Sequence, residues 1–214
     1  MPGQRIVLWR HGQTDWNIAN RFQGHSDIPL NEVGIKQAQH AAPLLLSLEP
    51  SKIISSDLIR ARKTAEELAK LAGLEVHIDS DLRETNGGNW EGKTGEQNRA
   101  EDYHRFLHWL DGDDERAGQV GEKRSEIATR ALRAIQKGLS GDVSTLIVAT
   151  HGGTARCILG KMLDMPMKQW SSLGGLSNAS WSILENGLHR SGWVLVEHNS
   201  GSLPEPIYGE ESGA

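Results

Sequence analysis

The sequence predicts an α/β fold in which parallel strands are connected by helices. Two observations support this: apolar, β-branched runs of strand length recur along the chain, and stretches with helical periodicity separate them. The predicted strands of this kind cover residues 5–9, 52–55, 74–78 and 145–149. Because helical crossovers keep such strands parallel, their carboxyl ends should meet at one edge of the sheet.

The helices between the strands are predicted from caps and apolar spacing. Asn31 is the expected N-cap of the first helix, Pro43 should kink it, and Gly73 should end the second. The predicted helices cover residues 31–48, 57–72, 94–110, 124–139 and 154–163. The side chains expected to face inward from the first two helices are Ile35, Ala38, Ala42, Leu45, Leu58, Ala61, Ala65 and Leu68.

The remaining segments are predicted to be irregular or peripheral. The polar stretch 15–29 is an expected loop, and 180–184 and 192–197 are expected edge strands. Residues 200–214 are expected to form a flexible tail. A chain of 214 residues with 37% hydrophobic residues suits one globular domain, which we expect over residues 1–199.

Composition also limits the classes of function. The formal net charge of −5 argues against a nucleic-acid partner, because binding to a phosphate backbone needs a clustered excess of basic residues. No apolar run is long enough for a membrane span or a signal peptide, so we expect no membrane partner and a cytoplasmic location. The single cysteine, Cys157, excludes an internal disulfide.

Arg10 and His11 follow the first predicted strand directly and suggest a phosphate site. The arginine fork matches phosphate oxygens, and a neutral imidazole can attack phosphorus and carry the phosphoryl group. Gly12 allows close approach of the backbone. Taken alone, such a pair at a strand end is more often a salt bridge than a nucleophilic site.

Two other strand ends carry matching groups. Arg60 lies in the first turn of the second predicted helix, where it is either a solvated charge or a ligand for an anion. His151 follows the most apolar strand and precedes Gly152 at a helix N-terminus. Glu84, a few residues after the third strand, can donate the proton that a departing alkoxide needs. This scheme requires no metal and no cofactor.

Three other motifs in the chain point to different chemistry. Residues 87–94 satisfy the P-loop pattern, but no strand abuts them, and Trp90 and Glu91 would oppose phosphates, so a nucleotide-binding protein is a remote alternative. His104 and His108 have a zinc-like spacing without an evident third ligand. Residues 111–122 imitate a calcium loop but lack its turn glycine, and we interpret both as surface features.

Four ordered motifs resemble the histidine phosphatases, also called the phosphoglycerate mutase family. They are Arg10-His11-Gly12-Gln13-Thr14 with Trp16-Asn17, Ser55-Ser56-Asp57-Leu58 with Arg60-Ala61, Leu82-Arg83-Glu84 with Trp90-Glu91-Gly92, and His151-Gly152-Gly153. The resemblance implies a three-layer α/β/α sandwich with a mostly parallel central sheet. It also implies that His11 is phosphorylated, that Arg10, Arg60 and His151 hold the phosphoryl group, and that Glu84 is acid and base.

The same resemblance extends to substrate contacts. Asn17, Gln23, Gly24 and Gly152 match positions that line the pocket in relatives, and the substrate is expected to be a small phosphorylated metabolite. The segment 173–181 resembles a bacterial branch that acts on glucosyl-3-phosphoglycerate. Lys123 departs from that branch, which has serine at this position.

A cofactor-dependent phosphoglycerate mutase is the alternative within the family. The mutases resembled here have a longer insertion between the motifs of Glu84 and His151, with basic residues for a second phosphate, whereas residues 111–115 are acidic. We therefore expect a phosphatase. The resemblance also implies a homodimer, to which Trp170, Trp181 and Trp193 would contribute aromatic surface unless they belong to the core.

Overall fold

A six-stranded sheet forms the centre of the computed structural model, which describes residues 3–187 and 192–201. The strands are β1 (Arg5–Arg10), β2 (Lys52–Ser55), β3 (Val76–Ile78), β4 (Thr145–Thr150), β5 (Trp181–Asn186) and β6 (Trp193–Ser200). Their order across the sheet is β3-β2-β4-β1-β5-β6. The first four are parallel to one another, and β5 and β6 are antiparallel to their neighbours. The predicted α/β fold with a mostly parallel sheet is confirmed.

Helices cover both faces of this sheet. They are α1 (Asp15–Ile18), α2 (Glu32–Leu46), α3 (Ile59–Ala72), α4 (Gly95–Glu101), α5 (Tyr103–Leu110), α6 (Arg124–Gly138) and α7 (Gly152–Met162). Short 3₁₀ turns occupy Ser80–Leu82, Gly88–Trp90 and Met167–Ser172. None of the helices in the described ranges is long and apolar enough to cross a membrane.

The alternation of side chains along β1 divides the core into two halves. Ile6 and Leu8 pack in the cluster that contains residues of α6 and α7, whereas Val7 and Trp9 pack in the cluster that contains residues of α2 and α3. Successive side chains of a strand point to opposite faces, so a continuous apolar strand must be covered on both sides. This produces the three-layer α/β/α sandwich.

A third cluster, made mostly of aromatic residues, lies under the connection between β3 and β4. Trp90 is at its centre and makes ring contacts with Phe22, Phe106 and Trp109 at centroid distances of 6.0, 5.4 and 5.8 Å. Trp170 belongs to the same cluster. Burial of each such ring contributes roughly 1.5–3 kcal/mol or more, so this region of the chain has a core of its own.

Several local predictions were wrong. The segment 15–29 is not wholly a loop, because Thr14 and Asn17 form a reciprocal capping box that starts α1. The helix expected over 94–110 is interrupted at Asp102, whose φ of −139° and ψ of 49° are not helical. Only β6 is an edge strand at the carboxyl-terminal side, because β5 lies between β1 and β6.

Two buried faces also differ from expectation. Ile35 was expected to face inward but is 43% exposed, because it lies at the edge of the buried face of α2. That face consists of Gly34, Ala38, Ala41, Ala42 and Leu45. Trp170 and Trp181 are buried within the chain, so they do not supply the aromatic surface suggested for a dimer. Helix α2 continues through Pro43.

The boundary expected at residue 199 falls inside a strand. Ser200 is the last residue of β6 and pairs with Trp181. Most of the expected tail, residues 202–214, lies outside the described residues.

Candidate active site

Three adjacent parallel strands deliver polar side chains to one edge of the sheet. His11 follows β1, His151 follows β4, and Ser56 follows β2, which are neighbours in the order β2-β4-β1. The rings of His11 and His151 face each other with centroids 5.2 Å apart. The convergence expected from the strand ends therefore exists.

His11 is buried and its tautomer follows from its hydrogen bond. Its Nδ1 lies 2.7 Å from the carbonyl oxygen of Gly12, which can only accept, so Nδ1 carries a proton. Burial lowers the pKa of His11 well below its usual value of 6.5, and the nearby charges of Arg60 and Arg10 lower it further. The ring is therefore neutral near pH 7, and Nε2 presents an unprotonated lone pair.

Two guanidinium groups provide the positive charge. Arg60 is 0% exposed, and its Nη1 and Nη2 donate to the carbonyls of Ser26 and Gly24 at 2.8 and 2.9 Å. Arg10 is buried as well and donates from Nη1 to the carbonyl of Leu176. The interpretation of Arg60 as a solvated helix charge was therefore wrong. Two cations fixed by backbone carbonyls form a site with a strong preference for an anion.

His151 is held from the β2 side. Its Nε2 is 2.9 Å from the Ser56 hydroxyl, and its Nδ1 has no hydrogen-bond partner among the residues that the structure describes. Burial lowers the pKa of this ring well below 6.5, with smaller contributions from Arg60 and His11. Sequence reasoning included Ser56 in a family motif but gave it no role; a hydroxyl directly after a strand end was the available indication.

Glu84 is held by the first turn of α7. Its Oε1 accepts from the backbone N–H groups of Thr85 and Thr154 at 2.8 and 3.0 Å, and its Oε2 accepts from that of Gly153 at 3.1 Å. These three N–H groups fix the position of the carboxyl group at the end of the helix. The carboxyl group therefore lies beside His151, which is the N-cap residue of the same helix.

The expected pocket residues form a network around Thr14. The Thr14 hydroxyl lies 3.0 Å from the Oδ1 of Asn17 and 3.0 Å from the Oε1 of Gln23. Asn178 donates from Nδ2 to Asn17 Oδ1 and to the carbonyl of His11, both at 3.2 Å. Within the described ranges, the buried Nδ2 of Asn17 has no partner, so this donor is available to a bound anion.

The two glycines of the expected pocket also lie here. Gly24 has a φ of +52°, and its carbonyl accepts from Arg60. Gly152 begins α7, and a Cβ atom there would lie 3.5 Å from the Nε of Arg10. All nine residues predicted for the site therefore belong to this connected region.

Arg130 is a residue that sequence reasoning missed. Its guanidinium donates to the carbonyls of Asp81, Arg83 and Glu84 at 2.7, 2.7 and 2.9 Å. Glu122 pairs with it at 2.8 Å and accepts from the N–H of Asn86 at 2.8 Å. Arg130 therefore fixes the backbone on which Glu84 is carried. In the sequence, Arg130 is one of several charged residues on a predicted helix, and nothing distinguishes it from the others.

The other motifs show no site of the kinds they imitate. In the P-loop pattern, Gly87 donates its N–H to Glu91 and Lys93 is paired with Glu101, so both groups already have partners within the chain. His108 pairs with Asp113 at the surface. A search of the described part of the chain finds no group of three or more His, Cys, Asp or Glu side chains that could hold a metal ion.

Comparison with known proteins agrees with this geometry. The model of the histidine phosphatase superfamily (branch 1) matches residues 6–201. Glucosyl-3-phosphoglycerate phosphatase of Mycobacterium tuberculosis is 36% identical over 193 residues, covering 86% of each chain. A probable phosphoglycerate mutase of Photorhabdus laumondii is 33% identical over 195 residues, covering 89% of this chain and 90% of its own.

A solved structure gives the same result for the fold. Mycobacterial glucosyl-3-phosphoglycerate phosphatase in complex with VO3 superposes with a TM-score of 0.85 at 36% identity, covering 92% of this chain and 98% of its own. The chain therefore belongs to the histidine phosphatase superfamily, branch 1. It is a phosphatase, a class of enzyme that hydrolyses phosphomonoesters.

Proposed function

We propose that this phosphatase hydrolyses a small phosphorylated sugar acid, glucosyl-3-phosphoglycerate, through a phosphohistidine on His11. The observation that carries the mechanism is the hydrogen bond of 2.7 Å between His11 Nδ1 and the Gly12 carbonyl, which leaves Nε2 unprotonated. A buried neutral imidazole beside two guanidinium groups combines a nucleophile with a site for phosphoryl oxygens.

The first half-reaction transfers the phosphoryl group. Nε2 of His11 forms a bond to phosphorus while the bond from phosphorus to the ester oxygen breaks, and the departing alkoxide takes a proton from Glu84. Arg10 and Arg60 neutralise the equatorial oxygens. The Ser56 hydroxyl, 2.9 Å from Nε2 of His151, donates a hydrogen bond to it, so that Nδ1 keeps the ring proton and donates a hydrogen bond to a phosphoryl oxygen.

The second half-reaction regenerates the enzyme. Water attacks phosphorus, the bond between phosphorus and Nε2 breaks, and the Glu84 carboxylate takes the proton of the water. Asn17 donates from Nδ2 to the phosphoryl group throughout, and Gly152 keeps the space beside Arg10 open. Gln23 supports this arrangement through Thr14, and the Gly24 carbonyl holds Arg60 in place. The proton that Glu84 gives to the alkoxide in the first step is replaced from the attacking water in the second, and the chemistry uses no metal or cofactor.

The substrate assignment is supported by the relatives. The Mycobacterium tuberculosis protein that is 36% identical is named for glucosyl-3-phosphoglycerate. The segment 173–181 lies beside the site, since Leu176 accepts from Arg10 and Asn178 donates to Asn17. Its contacts with two residues that we assign to the phosphoryl group support a role for this segment in substrate binding.

The test combines trapping with a substrate screen. Brief incubation with labelled glucosyl-3-phosphoglycerate should leave acid-labile, base-stable phosphate on the protein, and His11→Ala should remove both this label and turnover. A screen for phosphate release over phosphorylated metabolites should rank this substrate first by kcat/KM. Undiminished turnover in His11→Ala contradicts the mechanism, whereas a different first-ranked ester contradicts the substrate alone.

A phosphoglycerate mutase is the second candidate, because one relative at 33% identity is a probable phosphoglycerate mutase. The segment 111–115 opposes it: Asp113 pairs with His108 and Lys168, and Glu115 pairs with Arg105, so local basic groups are already neutralised. Conversion of 3- to 2-phosphoglycerate in the presence of 2,3-bisphosphoglycerate, run beside the phosphate assay, should be slower than hydrolysis. The opposite order of rates would favour the mutase.

We further propose a homodimer of single-domain protomers in the cytoplasm, where small charged phosphoesters are retained. The domain includes all of β6, which ends at Ser200. The exposed Val33, Ile35 and Leu44 of α2 offer apolar surface for the partner, in place of the buried Trp170 and Trp181. Light scattering should report twice the mass of one chain, and a monomer at working concentrations contradicts the dimer.

A further inference from the structure

A cavity of about 420 Å³ lies beside the segment that imitates a P-loop, and the proposed reaction does not use it. Its walls include Trp90 and Lys93 from that segment, and Asn98, Glu101 and Asp102 from α4 and its end. The volume lies in the range of cavities that bind small molecules, about 300–1,000 Å³.

Asn98 is the unusual residue of this cavity. It is 1% exposed, yet within the described residues neither Nδ2 nor Oδ1 has a hydrogen-bond partner. Nε1 of Trp90, 2% exposed, is without a partner in the same part of the chain. Buried polar groups are usually hydrogen-bonded, and each unsatisfied one costs about 1–3 kcal/mol, so a molecule that supplied partners to these three atoms would gain affinity from them.

The charges of the wall exclude some classes of ligand. Lys93 is already paired with Glu101, and Asp102 adds a second carboxylate whose nearest cation is Arg105 at 3.5 Å. The local balance is therefore negative, which disfavours a nucleotide or another polyphosphate despite the P-loop pattern. An ammonium ligand would meet the donors of Trp90 and Asn98, whose hydrogens it could not accept.

The donors and acceptors together match hydroxyl groups. A hydroxyl can accept from Trp90 Nε1 or Asn98 Nδ2 and donate to Asn98 Oδ1 or to the carboxylate of Asp102. Several hydroxyls on one rigid frame would satisfy all of them at once. We propose that this cavity is a second binding site, separate from the catalytic one, for a neutral polyhydroxylated molecule such as a free sugar or cyclitol.

The test uses glucose and myo-inositol as probes and follows the indole N–H signal of Trp90 by NMR, assigned through its loss in Trp90→Phe. One of the probes should shift this signal saturably, while the indole signal of Trp109, which belongs to the same aromatic cluster but not to the cavity wall, stays in place. Binding should persist with orthovanadate in the active site. ATP should cause no shift.

Asn98 variants separate binding from structure. Asn98→Ala should raise the dissociation constant of the probe at least about tenfold. Asn98→Leu, which removes the unsatisfied amide and keeps the volume, should abolish binding, raise the thermal midpoint of the free protein and leave phosphatase kcat unchanged. The proposal is overturned if neither probe causes a saturable shift at roughly 100 mM. This concentration is about a hundredfold above a millimolar dissociation constant. A lower midpoint in Asn98→Leu without probe binding also overturns it, since the cavity then holds only structural water.

Discussion

His11 and His151 face each other at 5.2 Å as two buried imidazoles of depressed pKa, held between the charges of Arg10 and Arg60. In the absence of an anion, protonation of either ring would place a third positive charge in this site. The folded protein without a bound anion therefore keeps both rings neutral, and its free energy of unfolding depends on pH for this reason.

The first prediction concerns stability between pH 6.5 and pH 5. The unfolded chain takes up protons on these histidines near pH 6.5, whereas the folded chain does not, so the free energy of unfolding should fall as pH decreases. Each histidine contributes a slope of up to about 1.4 kcal/mol per pH unit. Denaturant titrations in phosphate-free buffer should show a smaller slope for His11→Asn than for the unaltered protein.

The second prediction concerns Glu84 as proton donor. Glu84→Gln keeps an acceptor for the N–H groups of Thr85 and Thr154 but has no acidic proton. Hydrolysis of an alkyl phosphomonoester should fall by about 10²–10⁴-fold. 4-Nitrophenyl phosphate, whose leaving group needs no proton, should lose less than about tenfold at the phosphoryl-transfer step. Equal losses for both substrates would remove Glu84 from this role.

The third prediction concerns the support of Glu84 by Arg130. Arg130→Met removes three hydrogen bonds to the carbonyls around Glu84 and strands Glu122, with a destabilisation of roughly 3–5 kcal/mol expected for a broken buried pair. In protein shown to be folded, kcat should drop by up to about 10²-fold through misplacement of the acid, with a smaller change in KM.

Arg133→Met is the matched control for Arg130. It lies one helical turn away on α6, and its side chain is 56% exposed against 13% for Arg130. Its pair with Asp81 should contribute less than about 1 kcal/mol, and kcat should not change. Similar losses in both variants would mean that general destabilisation of α6 explains the result.

The fourth prediction concerns the P-loop pattern. Lys93→Ala breaks an exposed pair with Glu101 and should change stability by less than about 1 kcal/mol, with phosphatase activity retained. Arg60→Ala, which removes a buried cation from the site, should abolish activity in the same assay. Nucleotide binding that is lost in Lys93→Ala would restore the interpretation that we rejected.

The fifth prediction concerns the close contact between Gly12 and Gly34. A Cβ atom at Gly12 would lie 2.2 Å from the carbonyl oxygen of Gly34, and one at Gly34 would lie 2.1 Å from that of Gln13. Gly12→Ala should therefore displace the nucleophile loop, with loss of activity and of folded protein. Gly95→Ala, where the added Cβ would lie 3.8 Å from the Cζ of Phe106, should be neutral or slightly stabilising in a melting experiment.

Strand ends and motif residues were predictable because local pattern determines them. The run from Arg5 to Trp9 is apolar throughout and must be covered on both faces, which fixes β1 and the position of His11 behind it. The Asn31 cap and the left-handed Gly73 are likewise local features, and both ends were placed correctly.

Features that depend on tertiary contacts were not predictable from one sequence. Arg130 and Arg133 have the same character on α6, and only the loop that α6 packs against distinguishes their roles. Ile35 fits the apolar spacing of α2, yet the small residues Gly34 and Ala41 determine which face approaches the sheet. The burial of Trp170 and Trp181 depends on a third cluster and on β6, which the sequence pattern does not reveal.

The direct backbone contact between Gly12 and Gly34 also limits which parts of this fold can accept substitutions. No side chain separates the nucleophile loop from α2, so this wall of the site cannot change without moving the attacking nitrogen. The stretch 113–116 is different, because it is held through exchangeable side chains, such as Asp113 against Lys168 and Glu115 against Arg105. Random variation confined to residues 113–116 should therefore leave the phosphorus chemistry unaltered.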